Sequence, residues 1–283
     1  MFLIMCYTVL NETEKAARRA PDGKCTGNTE RKVTKMIETA LRGTMFDVYR
    51  AAICAEDRLV FRPLDAHTCA VAGVEGESPV RLSVPACAPD GRVVTAVDDR
   101  AFSGCASLRT VLLPDTVESI GVRAFAFCTS LTELRVGPES RLTCIGSRAF
   151  MGCERLPLLR LGHLTRLASV GSKAFAFCTG LRSVVLPDTL CEIPEGMFEG
   201  CRSLEHLRLP GRLTEIGPSA FSTCASLCRV TLPESVVCIG ETAFAWCDSL
   251  THVSLPVSPC IVSATAFVEC PAARGECRIP GAV

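Results

Sequence analysis

An excess of charge of either sign is missing from this chain. Thirty Lys and Arg balance thirty Asp and Glu, so no global field drives it onto nucleic acid or an anionic membrane. Long apolar runs are missing too. The strongest, Met1 to Leu10, has about half the length of a spanning helix and runs straight into Asn11 and Glu12, so membrane insertion is not expected. It lacks the basic start and small-residue cleavage site of a secretory signal, and is expected to be an ordered cap or a misassigned start. Catalytic signatures are absent as well: there is no G-x-x-x-x-G-K-[ST], no G-x-G-x-x-G after a strand, no H-E-x-x-H and no G-x-S-x-G. His67, His163, His206 and His252 are far apart, and no C-x-x-C pair suggests zinc or a redox dithiol. No catalytic residue, metal site or cofactor is therefore expected, and the chain reads as a non-enzyme.

What the chain does have is cysteine, nineteen in 283 residues, an odd number that leaves at least one thiol unpaired in a monomer. Their spacing explains them. Cys105, Cys128, Cys153, Cys178, Cys201, Cys224, Cys247 and Cys270 follow one another at intervals of 23, 25, 25, 23, 23, 23 and 23 residues. Three residues before each stands a phenylalanine: Phe102, Phe125, Phe150, Phe175, Phe198, Phe221, Phe244 and Phe267. Three residues after the first seven stands Leu108, Leu131, Leu156, Leu181, Leu204, Leu227 or Leu250. The frame is [IV]-x-x-x-A-F-x-x-C-x-x-L-x-x-[VL]-x-[VL]-P, with Met197 in place of one Ala and two losses of Pro.

A period of 20 to 29 residues built on L-x-x-L-x-L marks a leucine-rich repeat, each unit supplying one short strand and stacking on its neighbours. In the first unit Val111 and Leu113 should point inward while Thr110 and Leu112 face out, as a period of two requires. Pro114 should end that strand, having no N–H for a ladder. Val117 and Ile120 should return the chain along the opposite side, and Ala-Phe-x-x-Cys should turn it back. The periodic cysteines are expected to form a column of small buried thiols rather than a disulfide or metal ladder. Cys144, Cys191, Cys228 and Cys238 are read as sharing no common frame position.

The repeated I-G-x-x-A-F-x-x-C-x-x-L-x-x-V-x-L-P, clearest at Ile120 to Leu131 and Ile239 to Pro256, resembles the BspA-like leucine-rich repeats of bacterial and some protozoan surface proteins. The resemblance covers about residues 97–283. It implies a curved right-handed leucine-rich-repeat solenoid with short strands, 3-10 turns and a parallel concave sheet, and it suggests a place at the cell surface or in the periplasm. Val80 to Pro85 with Asp90 to Val97 resembles the degenerate first repeat of that family. Units two and three carry two extra residues around Gly137 to Thr143 and Gly162 to Ala168, and the last unit decays after Cys270.

Three regions follow. Residues 1–44 form an extension with an amphipathic helix from Asn28 to Gly43. Residues 45–96 form a β-rich cap, with strands at Phe46 to Ala52 and Arg58 to Arg62 joined near Glu56 and Asp57. Residues 97–283 carry the repeats.

With no chemistry in the sequence, function should lie on a surface, and a solenoid offers its concave strands. The outward positions hold Arg135, Leu158, Arg160, Val185, His206, Arg208 and Arg229, in addition to Thr110, Leu112, Glu133, Ser183, Thr231, His252 and Ser254. Leu158 and Val185, on adjacent strands, should make a small apolar patch rimmed by Arg135, Arg160 and Arg208, a mixture suited to an interface hot spot. The expected role is a scaffold for an unidentified protein partner, with adhesion or binding of a host component implied by the resemblance. A periplasmic or intracellular scaffold, or a carrier of an apolar or anionic ligand, stands beside it. Oligomeric state is left open.

Overall fold

The computed structural model describes residues 58–271, all within the unit Ala51–Val283. The expected helix at 28–43, the strand at 46–52 and the decayed tail at 278–280 lie outside them. The described chain is a stack of rungs with strands on two sides and no α-helix. It opens with β1 (Leu59–Pro63), β2 (Thr68–Val74), β3 (Arg81–Ser83) and β4 (Val93–Val97). From β5 (Thr110–Leu113) and β6 (Ser119–Ile120) onward, each rung gives one strand to a front face and a two-residue strand to a back face. The front strands continue as β7 (Glu133–Val136), β9 (Leu158–Arg160), β11 (Ser183–Val185), β13 (His206–Arg208), β15 (Arg229–Thr231) and β17 (His252–Ser254). The back strands are β8 (Cys144–Ile145), β10 (Ser169–Val170), β12 (Glu192–Ile193), β14 (Glu215–Ile216), β16 (Cys238–Ile239) and β18 (Ile261–Val262).

The front strands are where the repeat predicts them, and burial alternates along β5 as expected. Pairing is parallel in three groups, β3-β5-β7, β9-β11-β13 and β15-β17. The first break has a chemical cause. Thr132 and Arg182 each donate an amide to the preceding rung, at 2.9 Å in both cases. Pro157 occupies the equivalent place between them and has no N–H to give. The back ladder, which the sequence reading expected only as a return path, is continuous from β2 through β4, β6, β8 and β10, and again from β12 to β18. The two-residue insertions leave its register intact, with Ser119 opposite Cys144 and Cys144 opposite Ser169.

Between back and front strands the chain arches through Ala-Phe-x-x-Cys. Here the structure refines the expected 3-10 turn, because the residues two before and two after each Phe are left-handed, Thr265 excepted. Eleven non-glycine residues, all in these two columns, have φ between 52° and 59°. Gly104, Gly152, Gly196 and Gly200 fill four more of the same places. Amides at alternate arch residues are donated to the next rung, as Arg123 to Ser147 O (3.0 Å), Phe125 to Ala149 O (2.8 Å) and Phe127 to Met151 O (2.7 Å). A uniform 3-10 run would keep those donors within the rung. Just before the arch, the Gly of the I-G pair answers a steric demand. A Cβ on Gly171 would lie 2.4 Å from Ser147 N, and one on Gly146 2.7 Å from Gly121 C.

The eight repeat phenylalanines are all buried and stack in one column, neighbouring centroids 5.2–5.8 Å apart with planes within 14°. The eight cysteines beside them are buried, and each from Cys128 onward donates its thiol to the Phe carbonyl of the rung before, as Cys128 to Phe102 (3.2 Å) and Cys178 to Phe150 (3.3 Å). Phe102 O also accepts the Cys105 amide at 3.2 Å, so one carbonyl ties two rungs. Burial pushes the Cys128 and Cys178 thiols up to about 12. Cys153 and Cys201 are likewise held well above the usual thiol range by burial.

One sequence reading needs correction. Cys144 and Cys238 do share a frame position, nine residues before their repeat cysteine, and occupy equivalent places in the back ladder. Cys191 and Cys260 likewise share the position before it. The signal was hidden because Ser, Glu and Ile take the same outward place in other rungs. In addition, β1 pairs antiparallel with β2, Leu59 opposite Val74, around a turn at Asp65. The Asp65 carboxylate closes that turn by accepting the amides of His67 and Thr68 at 2.7 and 2.8 Å. The turn at Glu56 and Asp57 lies outside the described residues.

Phe175→Ala should cost about 3–5 kcal/mol in chemical denaturation, because it empties a fully buried place with stacked rings on both sides. Removing residues 193–215, one whole rung, should leave a shorter, less stable but folded protein; complete loss of the β circular-dichroism signal would contradict rung-by-rung stacking. Maleimide at neutral pH should label exposed Cys87, Cys191 and Cys228 and spare the ladder until denaturant is added. Denatured, unreduced protein with almost no free thiol would contradict this. Since the folded Cys128 and Cys178 thiols titrate above the unfolded value of about 9, their contribution is complete below pH 9. It should decline as pH rises from about 9 toward 12, read as a falling unfolding midpoint.

Candidate binding surface

On the front face, side chains at the first and third strand residues point outward in two rows. Leu158, Ser183 and His206 stand in register across β9, β11 and β13 in one row. Arg160, Val185 and Arg208 stand in register in the other. Parallel strands lie about 4.8 Å apart, so the two arginines flank the valine with about 10 Å between their strands. Leu158 is exposed at 44%. Val185 is half-buried, its Cγ1 within 2.9 Å of where a Cβ on Gly162 would lie. The missing side chain at Gly162 thus leaves room for the valine.

The expected site is therefore partly assembled. Leu158, Arg160, Val185, His206 and Arg208 share one three-stranded sheet. Leu158 and Val185 are on adjacent strands as expected, but they stand diagonally, each beside a polar residue in register. Arg135 lies on β7, across the break at Pro157, and its Nε is 2.6 Å from Glu133 Oε1. Arg229 lies on β15 in a third group, in register with His252. His252 in turn holds its Nδ1 2.8 Å from Thr251 Oγ1.

Electrostatically the centre of this face is basic. Among the described residues Arg160, Arg208 and Arg229 take no part in any ion pair, whereas Arg135 is half-neutralised by its own strand neighbour. An exposed pair of that kind contributes at most about 1 kcal/mol, so it tempers the charge without fixing the fold. Ser183, with Leu158 on one side and His206 on the other, completes the row as a small polar contact, and the alternation Leu-Ser-His in register could have been read from the repeat frame.

Among the described residues, no group of three or more His, Cys, Asp or Glu is placed to hold a metal ion. Nor is any helix there long and apolar enough to cross a membrane.

Comparison with known proteins agrees with this architecture. A search of curated proteins finds no match. A leucine rich cell surface protein of Faecalibacterium prausnitzii is 32% identical over 68% of this chain and 52% of its own, with a TM-score of 0.62. The chain thus spans about half the length of that protein. A leucine rich repeat protein of T. pallidum is 27% identical over 76% of this chain and 88% of its own, with a TM-score of 0.56. Residues 92–164 and 163–274 match the BspA type leucine rich repeat region in six copies. With the repeat frame, the stacked rungs and this match in agreement, the chain belongs to the BspA type leucine-rich repeat family.

Proposed function

We propose that this protein is an attachment scaffold whose front face, centred on β9, β11 and β13, binds an acidic protein partner at a cell surface. The observation that carries the reading is the registered row Arg160, Val185, Arg208, two arginines without ion pairs on either side of a half-buried apolar contact. Arginine beside exposed apolar groups supplies both a planar donor fork for carboxylates and a desolvated contact, the combination typical of binding hot spots. The surface location draws on the likeness to the Faecalibacterium cell surface protein. Leu158, His206 and Arg229 would extend the contact along the rungs, and Arg135 would join it from across the break.

Replacing Arg135, Arg160 and Arg208 together by Glu should leave the fold unchanged within about 0.5 kcal/mol, because exposed positions of this kind seldom govern stability. It should weaken capture of acidic surface proteins, with a loss that shrinks at high salt. Leu158→Ser with Val185→Ser should instead speed dissociation with little salt dependence. The measurement is affinity capture from surface extracts by wild type and variants, followed by titration of the captured protein. Equal capture by wild type and the triple Glu variant would remove the front face as the binding surface, and failure of external protease to cleave the protein on intact cells would remove the surface location.

A further inference from the structure

The arch carries a second outward surface, independent of the front face. Two residues after each buried Phe, the column reads Gly104, Phe127, Gly152, Phe177, Gly200, Thr223, Trp246 and Glu269. Phe127 and Phe177 are 51% and 46% exposed and left-handed, both with φ of 59°. That backbone suits glycine and is a true outlier for a bulky side chain. Glycine occupies the same column one rung to either side of each, so a strain-free residue is available to the fold and is not used at these two places. Left-handed non-glycine residues recur along both columns, so what sets these two places apart is the large exposed ring each keeps between glycine rungs.

The rings are also supported. A Cβ on Gly152 would fall 2.7 Å from Phe127 Cδ1, and one on Gly200 2.6 Å from Phe177 Cδ1. Each ring therefore lies against the bare backbone of the next rung, while about half of its residue's surface stays open to solvent. The result is a pair of flat apolar platforms two rungs apart. The adjoining buried rings step by 5.2 and 5.3 Å over the same two rungs.

Charge is arranged beside them. Two residues before the buried Phe, the other left-handed column begins Arg100, Arg123, Arg148 and Lys173 on consecutive rungs. Lys173 is held by Glu195 and Glu199 at 3.7 and 3.2 Å. Among the described residues, Arg100, Arg123 and Arg148 enter no ion pair. Beyond Lys173 the arch turns acidic, with Glu195, Glu199, Glu241, Asp248 and Glu269. The basic stretch and the two platforms thus coincide over the same rungs, and they give way to Gly196 and Gly200 on the same next rung.

We infer that Phe127 and Phe177, flanked by Arg123 and Arg148, form a binding site for an extended β-linked polysaccharide bearing a carboxylate on every second sugar. A pyranose in such a chain advances it by about one rung and presents the same ring face at every second residue. Platforms two rungs apart therefore meet equivalent sugar faces, stacking against their C–H groups as aromatic rings do against apolar faces. The rung between carries only glycine in that column and leaves the inverted sugar unobstructed. A carboxylate recurring at that two-rung interval meets every second cation of the neighbouring column, Arg100 with Arg148 in one register or Arg123 with Lys173 in the other, and a guanidinium can grip it with two hydrogen bonds. Single-stranded nucleic acid also stacks on aromatics, but a phosphate on every unit demands denser positive charge than three arginines on successive rungs supply.

Trp246 is a built-in control. It is 47% exposed and left-handed with φ of 56°, yet stands in the acidic half with no cation in the neighbouring column. The test is isothermal titration of the full chain with hyaluronan octasaccharide, cellohexaose and oligothymidylate as probes. Phe127→Gly with Phe177→Gly installs the residue native to alternate rungs, so the variant should fold at least as stably, checked by thermal unfolding. Hyaluronan affinity should fall about tenfold or more in that variant and in Arg123→Gln with Arg148→Gln, and should stay unchanged in Trp246→Gly. Cellohexaose should bind more weakly than hyaluronan and be insensitive to salt. No hyaluronan binding by wild type, equal binding by the double glycine variant, or tighter binding of oligothymidylate would each overturn the inference.

Discussion

The constraint on which the structure depends is that each rung must close its backbone hydrogen bonds along the stacking axis. A turn of some two dozen residues is too tight to satisfy its donors internally without helix, and a buried amide without a partner costs about 1–3 kcal/mol. The protein meets this with strands on two sides and, at the arch, with left-handed residues in two columns that aim alternate amides at the next rung. Burial of the phenylalanine column follows from that geometry. Once the arches are in register, the rings can only stack, and the small thiol beside each ring fits the remaining gap while donating to the carbonyl of the rung before.

Much of this was legible in the sequence, because a side chain repeated eight times at one frame position reports a structural demand independent of its surroundings. The front strands, the buried Phe and Cys columns and the proline stops were all read from periodicity. Three things were not. The back ladder has only two residues per rung, too few to show a period of two, and its outward place is filled by Ser, Cys, Glu and Ile in turn. The hairpin of β1 and β2 depends on one aspartate closing a turn at Asp65, a local device without repetition to betray it. The left-handed columns are masked by their variety: arginine, lysine, serine, threonine, phenylalanine and tryptophan stand where backbone conformation alone would call for glycine.

The candidate front-face residues were found by counting from each repeat leucine, and the registered pairing places five of the seven on one sheet. What counting could not reveal was where the sheet breaks. Pro157 interrupts pairing by lacking a donor, and Arg135 is thereby set apart from Arg160 although the repeat frame makes them neighbours. The partial neutralisation of Arg135 by Glu133 is likewise a matter of rotamer, which spacing does not encode.

The hydrogen bonds between rungs also have a direction. Thiols and the amides that open the strands donate toward the rung before, while amides that close the front strands, such as Leu161 and Leu186, and those of the arch donate toward the rung after. Apart from the breaks in the two ladders, such as the one at Pro157, each interior unit therefore presents the same kinds of donor and acceptor, in the same sense, to both neighbours. Duplicating or losing a unit in frame away from those breaks leaves these contacts matched, so length can change by recombination with little redesign of the interior. Only the units at the ends face unlike chemistry on one side, and only there must sequence depart from the common pattern.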